Sequence, residues 1–425
     1  MTISLTRRAA LGAAAALASP RLVRAAAVEI VVHYSQPVIF KDSKEQLAAA
    51  FASRHPDIKV SFISNTPNYE EGVQYVLRQA ITGTLPDLSY QGLNRVRAVA
   101  ERGLATDLAP LIARDGGAAK LGYSPAILGQ GRVGEAQVGL PYAMSNTILY
   151  INADLVRRAG ADPLALGASW DAILPLARAI KDVGSGVDGF YIDWMPGQEW
   201  MWSSLLYSHG GRMMSVDERE IAFDGPEGLS ATRLIDRMVK QGGMSGFTSG
   251  AAQQAFFAGK LGIMMRSTAA LRGMISGVAG NFELLTATVP IPGAAQGRLA
   301  TGGSCGMILA RDPARREAAW TFLKFSTSAE GTAIMAKATG YVPCNQIAVD
   351  DPAYLADFYR TNPLFLPATR QLPLSLPWYA FPGANGVRIG QAFVDNLARV
   401  VEQKAAPEQV LTDIARETRR LLARA

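Results

Sequence analysis

The chain has 425 residues and a formal net charge of +6 at pH 7, with 49% hydrophobic and 18% charged residues. A chain of this length can bury a large core and usually forms more than one domain. Its basic residues form no dense cluster beyond the N-terminal region, which argues against a nucleic-acid-binding protein.

The first 27 residues have the organisation of an export signal. Arg7 and Arg8 precede a short apolar run from Ala9 to Ala18, and small residues end the segment. The apolar run is shorter than the roughly 20 residues that a transmembrane helix needs. We therefore predict a twin-arginine export signal at 1–27 that is cleaved near Ala27, and a mature protein in the periplasm.

Removal of this segment changes the charge of the chain. It takes away four arginines and no acid, so the formal charge of +6 falls to +2. No cysteine lies beside the cleavage site to carry a lipid anchor, and no later apolar run is long enough to span a membrane. We expect a free periplasmic protein.

Cysteine and histidine are rare. The histidines His33, His55 and His209 are scattered without metal-ligand spacing, so no metal site is predicted. The two cysteines, Cys305 and Cys344, are compatible with a disulfide in an oxidising compartment and equally with two buried free thiols. The sequence leaves both alternatives open.

The first part of the mature chain alternates strand-like and helix-like segments. The predicted elements are a strand at 29–34, a helix at 43–54, a strand at 58–63, a helix capped by Asn68 that ends at Gly83, and a strand at 88–91. Strands that alternate with helices of about a dozen residues are typical of βα units and parallel sheets.

The remaining chain continues with mixed elements and no internal repeat. We predict strands at 147–151, 262–265 and 306–310, helices capped by Asn152 and Ser169, further helices at 201–208, 227–241 and 253–259, and a mostly helical region from 313 to 425 with a proline-rich interruption at 363–382. Trp170 and Trp320 stand at helical spacing with apolar neighbours, so we assign both to the core.

A glycine motif between Gly129 and Gly134 matches the spacing of dinucleotide-binding loops. That motif binds a pyrophosphate only where it follows a strand and opens a helix. Here it is followed by a short strand that ends at Pro141. A β-hairpin is therefore predicted, and no nucleotide cofactor.

No arrangement typical of an enzyme is present. The adjacent acids Glu70–Glu71 and Asp350–Asp351 diverge on any regular element, and Ser304 in the 302–306 segment precedes a strand where a nucleophile elbow needs a strand and then a helix. We predict a protein without catalytic residues, and an exported hydrolase that uses Ser304 is the least favoured hypothesis.

A series of short motifs resembles one family along almost the whole mature chain. The motifs are Thr82-Gly-Thr-Leu-Pro-Asp-Leu88, Gly139-Leu-Pro-Tyr142, Leu149-Tyr-Ile-Asn152, Phe257-Ala-Gly-Lys-Leu-Gly-Ile-Met264, Gly302-Gly303 and Thr339-Gly-Tyr-Val-Pro343. In this order they resemble the extracellular solute-binding proteins of carbohydrate-type ABC importers, and most of all the glycerol-3-phosphate-binding branch.

The resemblance implies an α/β fold with two lobes, the type II periplasmic-binding-protein fold. Each lobe is expected to be a mostly parallel sheet flanked by helices, with the ligand cleft between the lobes. We expect lobe 1 to contain 28–142 and about 288–338, and lobe 2 to contain 143–287 and about 339–425. Closure of the lobes on the ligand would present a monomer to a membrane permease.

The resemblance also implies a set of ligand contacts, which are Tyr69, Ser145, Trp200, Ser267, Gly303, Tyr341 and Arg388. Within this set, Arg388 would supply a planar fork for a phosphate. Tyr69 and Trp200 would supply flat faces for a polyol or a quaternary ammonium group. Gly303 would allow close approach of its backbone N–H.

The chain departs from that branch at one point. The branch carries an acidic residue shortly after the Thr-Gly-x-x-Pro segment, where this chain has Gln91 and Asn94. Either amide is able to bind a ligand hydroxyl. The leading hypothesis is capture of glycerol 3-phosphate or a glycerophosphodiester such as glycerophosphocholine, and the alternative is a neutral mono- or oligosaccharide.

Overall fold

The computed structural model describes residues 27–194, 200–383 and 385–423. Arg7, Arg8 and the rest of the predicted export signal up to residue 26 lie outside the described residues. In the described part of the chain, no helix combines the length and apolar character that crossing a bilayer requires.

The strands lie in two main sheets and one hairpin. Their bounds are β1 (Val28–Ser35), β2 (Ile58–Thr66), β3 (Leu88–Gly92), β4 (Arg132–Val133), β5 (Ala136–Gln137), β6 (Leu140–Ser145), β7 (Thr147–Asn152), β8 (Asp188–Ile192), β9 (Leu261–Ser267), β10 (Leu284–Ala287), β11 (Leu299–Ile308) and β12 (Ser375–Pro377). The antiparallel pair β4–β5 confirms the hairpin predicted for the glycine motif.

Helices pack against both main sheets. Their bounds are α1 (Pro37–Arg54), α2 (Tyr69–Thr82), α3 (Val96–Ala100), α4 (Ala109–Arg114), α5 (Pro125–Gly129), α6 (Ala153–Arg158), α7 (Trp170–Lys181), α8 (Trp200–Ser208), α9 (Pro226–Lys240), α10 (Ser249–Phe257), α11 (Leu271–Val278), α12 (Pro313–Ser326), α13 (Ala329–Ala338), α14 (Gln346–Asp350), α15 (Ala356–Thr361), α16 (Leu366–Arg370), α17 (Gly386–Val401) and α18 (Pro407–Leu422).

Side-chain caps begin several helices where the sequence predicts them. Asn68 accepts a hydrogen bond from the Glu71 N–H at 2.8 Å, and Ser169 accepts one from the Ala172 N–H at 3.2 Å. Gly83 ends helix α2 with a φ of 72°. These caps satisfy N–H groups that lack a partner within the helix, which is why local sequence predicts them well.

The first sheet has the strand order β12-β11-β3-β1-β2, and β6 also pairs with β11. Strand β1 lies parallel to both β2 and β3, as the βα rhythm predicts. Strand β11 lies antiparallel to β3 and β6 because the chain returns to this sheet after it has built the second one. Helices α12 and α13 pack against this sheet and α1, and together they form the first lobe.

The second sheet has the order β10-β7-β9-β8 and corrects one expectation. Only β8 and β9 are parallel, whereas β7 is antiparallel to both β9 and β10, so this sheet is not mostly parallel. Strand β7 enters directly from β6 of the first sheet, without the crossover helix that successive parallel strands need. This sheet and its helices α7, α9, α17 and α18 form the second lobe.

Two other predicted boundaries are wrong. Helix α1 begins at Pro37 and not at residue 43, since proline fits the first turn of a helix. Strand β11 begins at Leu299 and not at residue 306. Its glycines have a low strand propensity, and the pairing with β6 stabilises the extended conformation there. Trp170 and Trp320 are 4% and 0% exposed, in agreement with their assignment to the core.

Side-chain hydrogen bonds tie together the segments that connect the lobes. The Gln371 amide donates to Thr147 O at 2.7 Å and accepts from the Val289 N–H at 2.8 Å. The Asn146 amide donates to Ala368 O at 2.8 Å. The connecting segments therefore form one hydrogen-bonded unit beneath the cleft.

The C-terminal part of the chain contacts both lobes. Asn345 Nδ2 donates to Leu121 O and to Thr327 O at 2.9 Å each, and both acceptors belong to the first lobe. Helices α17 and α18 pack against α9 of the second lobe. The segment around Asn345 thus contacts the first lobe, although it lies in the range assigned to lobe 2 from sequence.

A buried histidine in the first sheet makes stability depend on pH. His33 is 0% exposed, its ring nitrogens lie 2.8 Å from Ser89 Oγ and 3.1 Å from Thr66 Oγ1, and burial lowers its pKa to about 4. Below pH 6.5 the unfolded chain binds a proton that the folded protein does not bind. We therefore expect about 3 kcal/mol of stability to be lost as the pH falls from 6.5 to 4.

Urea unfolding at a series of pH values tests this expectation. The variant His33→Gln should flatten the dependence in this pH window, and His55→Gln at a half-buried position is the control. An unchanged pH dependence in His33→Gln would contradict the assignment.

Candidate functional site

A cavity of about 800 Å³ lies between the two sheets. Its floor is formed where strands pass between the lobes, since Ser145 at the end of β6 pairs with Gly302 and Ser267 at the end of β9 pairs with Thr147. A volume of this size is near the upper end of the range for small-molecule sites.

The structure brings six of the seven residues predicted from sequence to this cavity. They are Tyr69, Ser145, Trp200, Ser267, Gly303 and Tyr341. They come from both lobes and from the segment after α13, so only the tertiary fold places them together. Their roles as ligand contacts remain a prediction.

Arg388 is the exception. It lies on an exposed position of α17 and does not line the cavity. On the same helix, Gly390, Gln391 and Val394 face the cavity. At about 100° per residue, position 388 lies roughly 200° from position 390 but only about 60° from position 391, at the border of the cavity-facing side of the helix. Arg388 does not line the cavity in this structure, which corrects the expectation that it lies in the cleft.

Two tyrosines form part of the wall on the first lobe. The Tyr341 ring stacks on Phe40 with centroids 5.1 Å apart, and its hydroxyl donates to Gln36 Oε1 at 3.3 Å. Burial raises the pKa of Tyr69 to about 12, although the neighbouring hydroxyls of Ser304 and Tyr341 partly oppose this effect. Both phenols stay protonated at neutral pH and are able to donate hydrogen bonds.

Two indole rings line another part of the wall. Trp200 and Trp378 lie with centroids 5.9 Å apart and planes inclined by 41°. Trp202 instead is 1% exposed and donates to Thr232 Oγ1 at 3.1 Å, as expected for a core residue. Sequence reasoning missed Trp378, because the proline-rich segment that carries it has no periodic pattern.

The charged groups of the cavity are unevenly paired. Arg95 forms an ion pair with Glu70, and the Nε atom of Arg266 lies 3.2 Å from the Asp193 carboxylate. Arg272 forms no ion pair with any described carboxylate. The sequence analysis did not identify these three arginines, because none of them belongs to a recognisable motif.

The Asp193 carboxylate lies behind the Arg266 side chain and is 1% exposed. Burial raises the pKa of Asp193, and the Arg266 charge opposes this rise. Arg266 also donates to Gln253 Oε1 at 2.6 Å. This pair therefore holds the Arg266 side chain in place at the cavity wall.

One of the two amides that follow the Thr-Gly-x-x-Pro segment lines the cavity. Asn94 lines the cavity, is 6% exposed, and its Oδ1 atom has no hydrogen-bond partner. Gln91 is 0% exposed and donates to Ser89 Oγ, outside the cavity lining. Of the two amides considered from sequence, Asn94 is the one available to a ligand.

The described residues contain no cluster of His, Cys, Asp and Glu able to hold a metal ion. Cys305 and Cys344 are both buried and unpaired. Ser304 is 1% exposed and lies beside the Tyr69 phenol, which is no base at neutral pH. This environment does not support Ser304 as a nucleophile.

Known proteins provide an independent comparison. The family model of bacterial extracellular solute-binding proteins matches residues 46–363 of the chain. A binding protein of Brucella abortus is 25% identical over 382 residues, which is 87% of each chain. The sn-glycerol-3-phosphate-binding periplasmic protein UgpB of Escherichia coli K12 is 24% identical over 300 residues, which is 67% of each chain.

Solved structures share the fold at low identity. UgpB of Mycobacterium tuberculosis, in complex with glycerophosphocholine, has a TM-score of 0.82 at 22% identity and covers 93% of this chain and 98% of its own. The cyclic alpha-maltosyl-1,6-maltose binding protein of Arthrobacter globiformis has a TM-score of 0.80 at 22% identity, with 94% and 100% covered. The chain therefore has the type II periplasmic-binding-protein fold and belongs to the bacterial extracellular solute-binding proteins, the substrate-binding components of carbohydrate-type ABC importers.

Proposed function

We propose that the protein captures glycerol 3-phosphate or a glycerophosphodiester, such as glycerophosphocholine, in the periplasm and delivers it to its ABC permease. It acts as a monomer, without nucleic acid and without chemical change of the ligand. The observation that carries the proposal is a cation without a carboxylate partner in the cavity lining. Of the three arginines there, Arg95 pairs with Glu70 and Arg266 pairs with Asp193, whereas Arg272 forms no ion pair with a described carboxylate.

The other cavity residues suit the same class of ligand. Ser145 and Ser267 place small hydroxyls at the floor, and Trp200 with Trp378 offers flat faces to a glycerol chain or a quaternary ammonium group. A ligand that contacts both lobes at once favours the closed arrangement, because its contacts are complete only there. No covalent step is needed for this task.

A neutral sugar is the second candidate, and two observations favour it. The cavity of about 800 Å³ is large for a glycerol phosphate, and the segment after Thr-Gly-x-x-Pro carries Asn94 but no acid. The similar proteins include the glycerol-3-phosphate-binding protein UgpB and a cyclic maltosyl-maltose binding protein, so they bind ligands of both candidate classes.

Calorimetry and thermal unfolding of the mature protein distinguish these candidates. We expect 1:1 binding of sn-glycerol 3-phosphate or glycerophosphocholine, and a rise in stability of about 2.7 kcal/mol at a ligand concentration of 100 Kd. Binding of the phosphate ester should weaken as the salt concentration rises, whereas sugar binding should hardly change. Binding of maltose without binding of any phosphate ester would contradict the proposal and support the second candidate.

A further inference from the structure

We infer that Arg272 binds the anionic group of the ligand, so that this group lies against the second lobe at the segment 266–273. This inference rests on the proposed function and adds the residue that selects an anionic ligand. It assigns this role to Arg272 and not to Arg388, the residue that the family resemblance indicates.

The side chain of Arg272 is held by contacts that leave its charge unneutralised. Its guanidinium lies over the rings of Phe358 and Phe365, with centroids at 5.7 and 5.1 Å, and its Nη2 atom donates to Lys337 O. Aromatic faces and a carbonyl orient a guanidinium but carry no full negative charge. The Nε atom is buried and has no hydrogen-bond partner.

The other two arginines of the cavity are already paired. Arg95 contacts Glu70, and Arg266 contacts Asp193. A ligand anion at either residue competes with an existing carboxylate, whereas at Arg272 it meets a cation without one. An anion beside the Arg272 guanidinium therefore gains a charge-assisted interaction without displacing a carboxylate.

Small residues near Arg266 and Arg272 in the sequence complete the site. Ser267, Ala269 and Ala270 between these arginines, and Gly273 after them, line the cavity. Ser267 supplies a hydroxyl, and the small residues leave room for a tetrahedral group. The opposite wall carries Asp42, which is exposed and forms no ion pair in the described structure. The electrostatic difference between the walls places the anionic end of the ligand on the second lobe.

A matched pair of variants tests the inference. Arg272→Gln and Arg388→Gln each remove one positive charge, inside and outside the cavity. We measure the affinity of the mature protein for sn-glycerol 3-phosphate, glycerophosphocholine and maltose by calorimetry. Loss of a buried charged partner should weaken phosphate-ester binding by about 30-fold or more in Arg272→Gln. The change in Arg388→Gln should stay below about threefold.

Further measurements separate binding from folding. Thermal unfolding without ligand shows whether Arg272→Gln is folded. If it is unfolded, Arg272→Lys replaces it in the binding measurements, because lysine keeps the positive charge but lacks the planar guanidinium. Arg272→Lys should bind about 10-fold more weakly than the wild type.

The outcomes are distinguishable. Normal affinity of the folded Arg272→Gln variant for a phosphate ester, with weak binding by Arg388→Gln, overturns the inference and leaves the proposed function intact. A wild-type protein that binds maltose but none of the phosphate esters overturns both the inference and the phosphate ligand, while the role in ABC import stands.

Discussion

Replacement of Gly303 by alanine is expected to destabilise the protein by about 3 kcal/mol or more. Gly303 lies in β11 with a φ of +125°, a conformation that L residues rarely adopt, and a Cβ atom at this position would lie 2.0 Å from Ala143 O. The clash is with the backbone of the paired strand β6, so no side-chain movement relieves it. Urea unfolding of the variant without ligand measures the loss.

Two other glycines provide controls for this prediction. At Gly250, inside helix α10, a Cβ atom would meet nothing within 4 Å, so Gly250→Ala should leave stability unchanged or raise it by up to about 1 kcal/mol. At Gly302, a Cβ atom would lie 2.7 Å from Ser145 Oγ and 3.4 Å from the Trp200 ring. Gly302→Ala should therefore weaken ligand binding more than it weakens the fold. Equal stability of Gly303→Ala and Gly250→Ala would contradict the backbone argument.

Replacement of Lys44 by methionine is expected to stabilise the protein by about 1–4 kcal/mol at pH 7. Lys44 is 0% exposed, and its Nζ atom lies 3.0 Å from the centroid of the Tyr90 ring and 3.5 Å from that of Tyr142. Nζ has no hydrogen-bond partner. A desolvated cation–π contact contributes about 2 kcal/mol or somewhat more, whereas burial of an ammonium group without hydrogen bonds costs several. Burial therefore dominates and lowers the pKa of Lys44 well below its usual value.

The sign of the pH dependence follows from this shift. Between the lowered pKa in the folded protein and about pH 10.4, Lys44 carries a proton in the unfolded chain but not in the folded protein. Stability should therefore rise with pH in this window, and the advantage of Lys44→Met should shrink towards pH 10. Urea unfolding at pH 7 and pH 10 tests both statements, with Lys41→Met at an exposed position as control. A less stable Lys44→Met variant at pH 7 would show that the tyrosines hold the lysine charged.

Local sequence was sufficient where structure depends on near neighbours. The caps Asn68, Asn152 and Ser169 and the terminating glycine Gly83 lie where they were predicted, since each acts within one helical turn. The hairpin at 132–137 was also predicted locally, because a short strand follows the glycine motif where a nucleotide-binding loop needs a helix. Strand direction in the second sheet was not predictable in this way, because it depends on how the chain enters that sheet.

The candidate site shows the same division. The six predicted residues that line the cavity were named from a resemblance over the whole chain, which contains information on the tertiary structure that local patterns lack. Arg272 carried no such motif. Its partners Lys337, Phe358 and Phe365 are separated from it by 65 to 93 positions in the sequence, and only the fold brings them together.

The sequence by itself indicated the family through motif order, the two-lobed α/β architecture through that resemblance, and several helix starts through periodicity and short-range hydrogen bonds. Only the tertiary structure decided which arginine reaches the cleft and which cation lacks a carboxylate. Those properties depend on helix phase and on contacts between distant segments. Arg388 lies at the border of the cavity-facing side of its helix and stays outside the lining, although Gly390 and Gln391 belong to it.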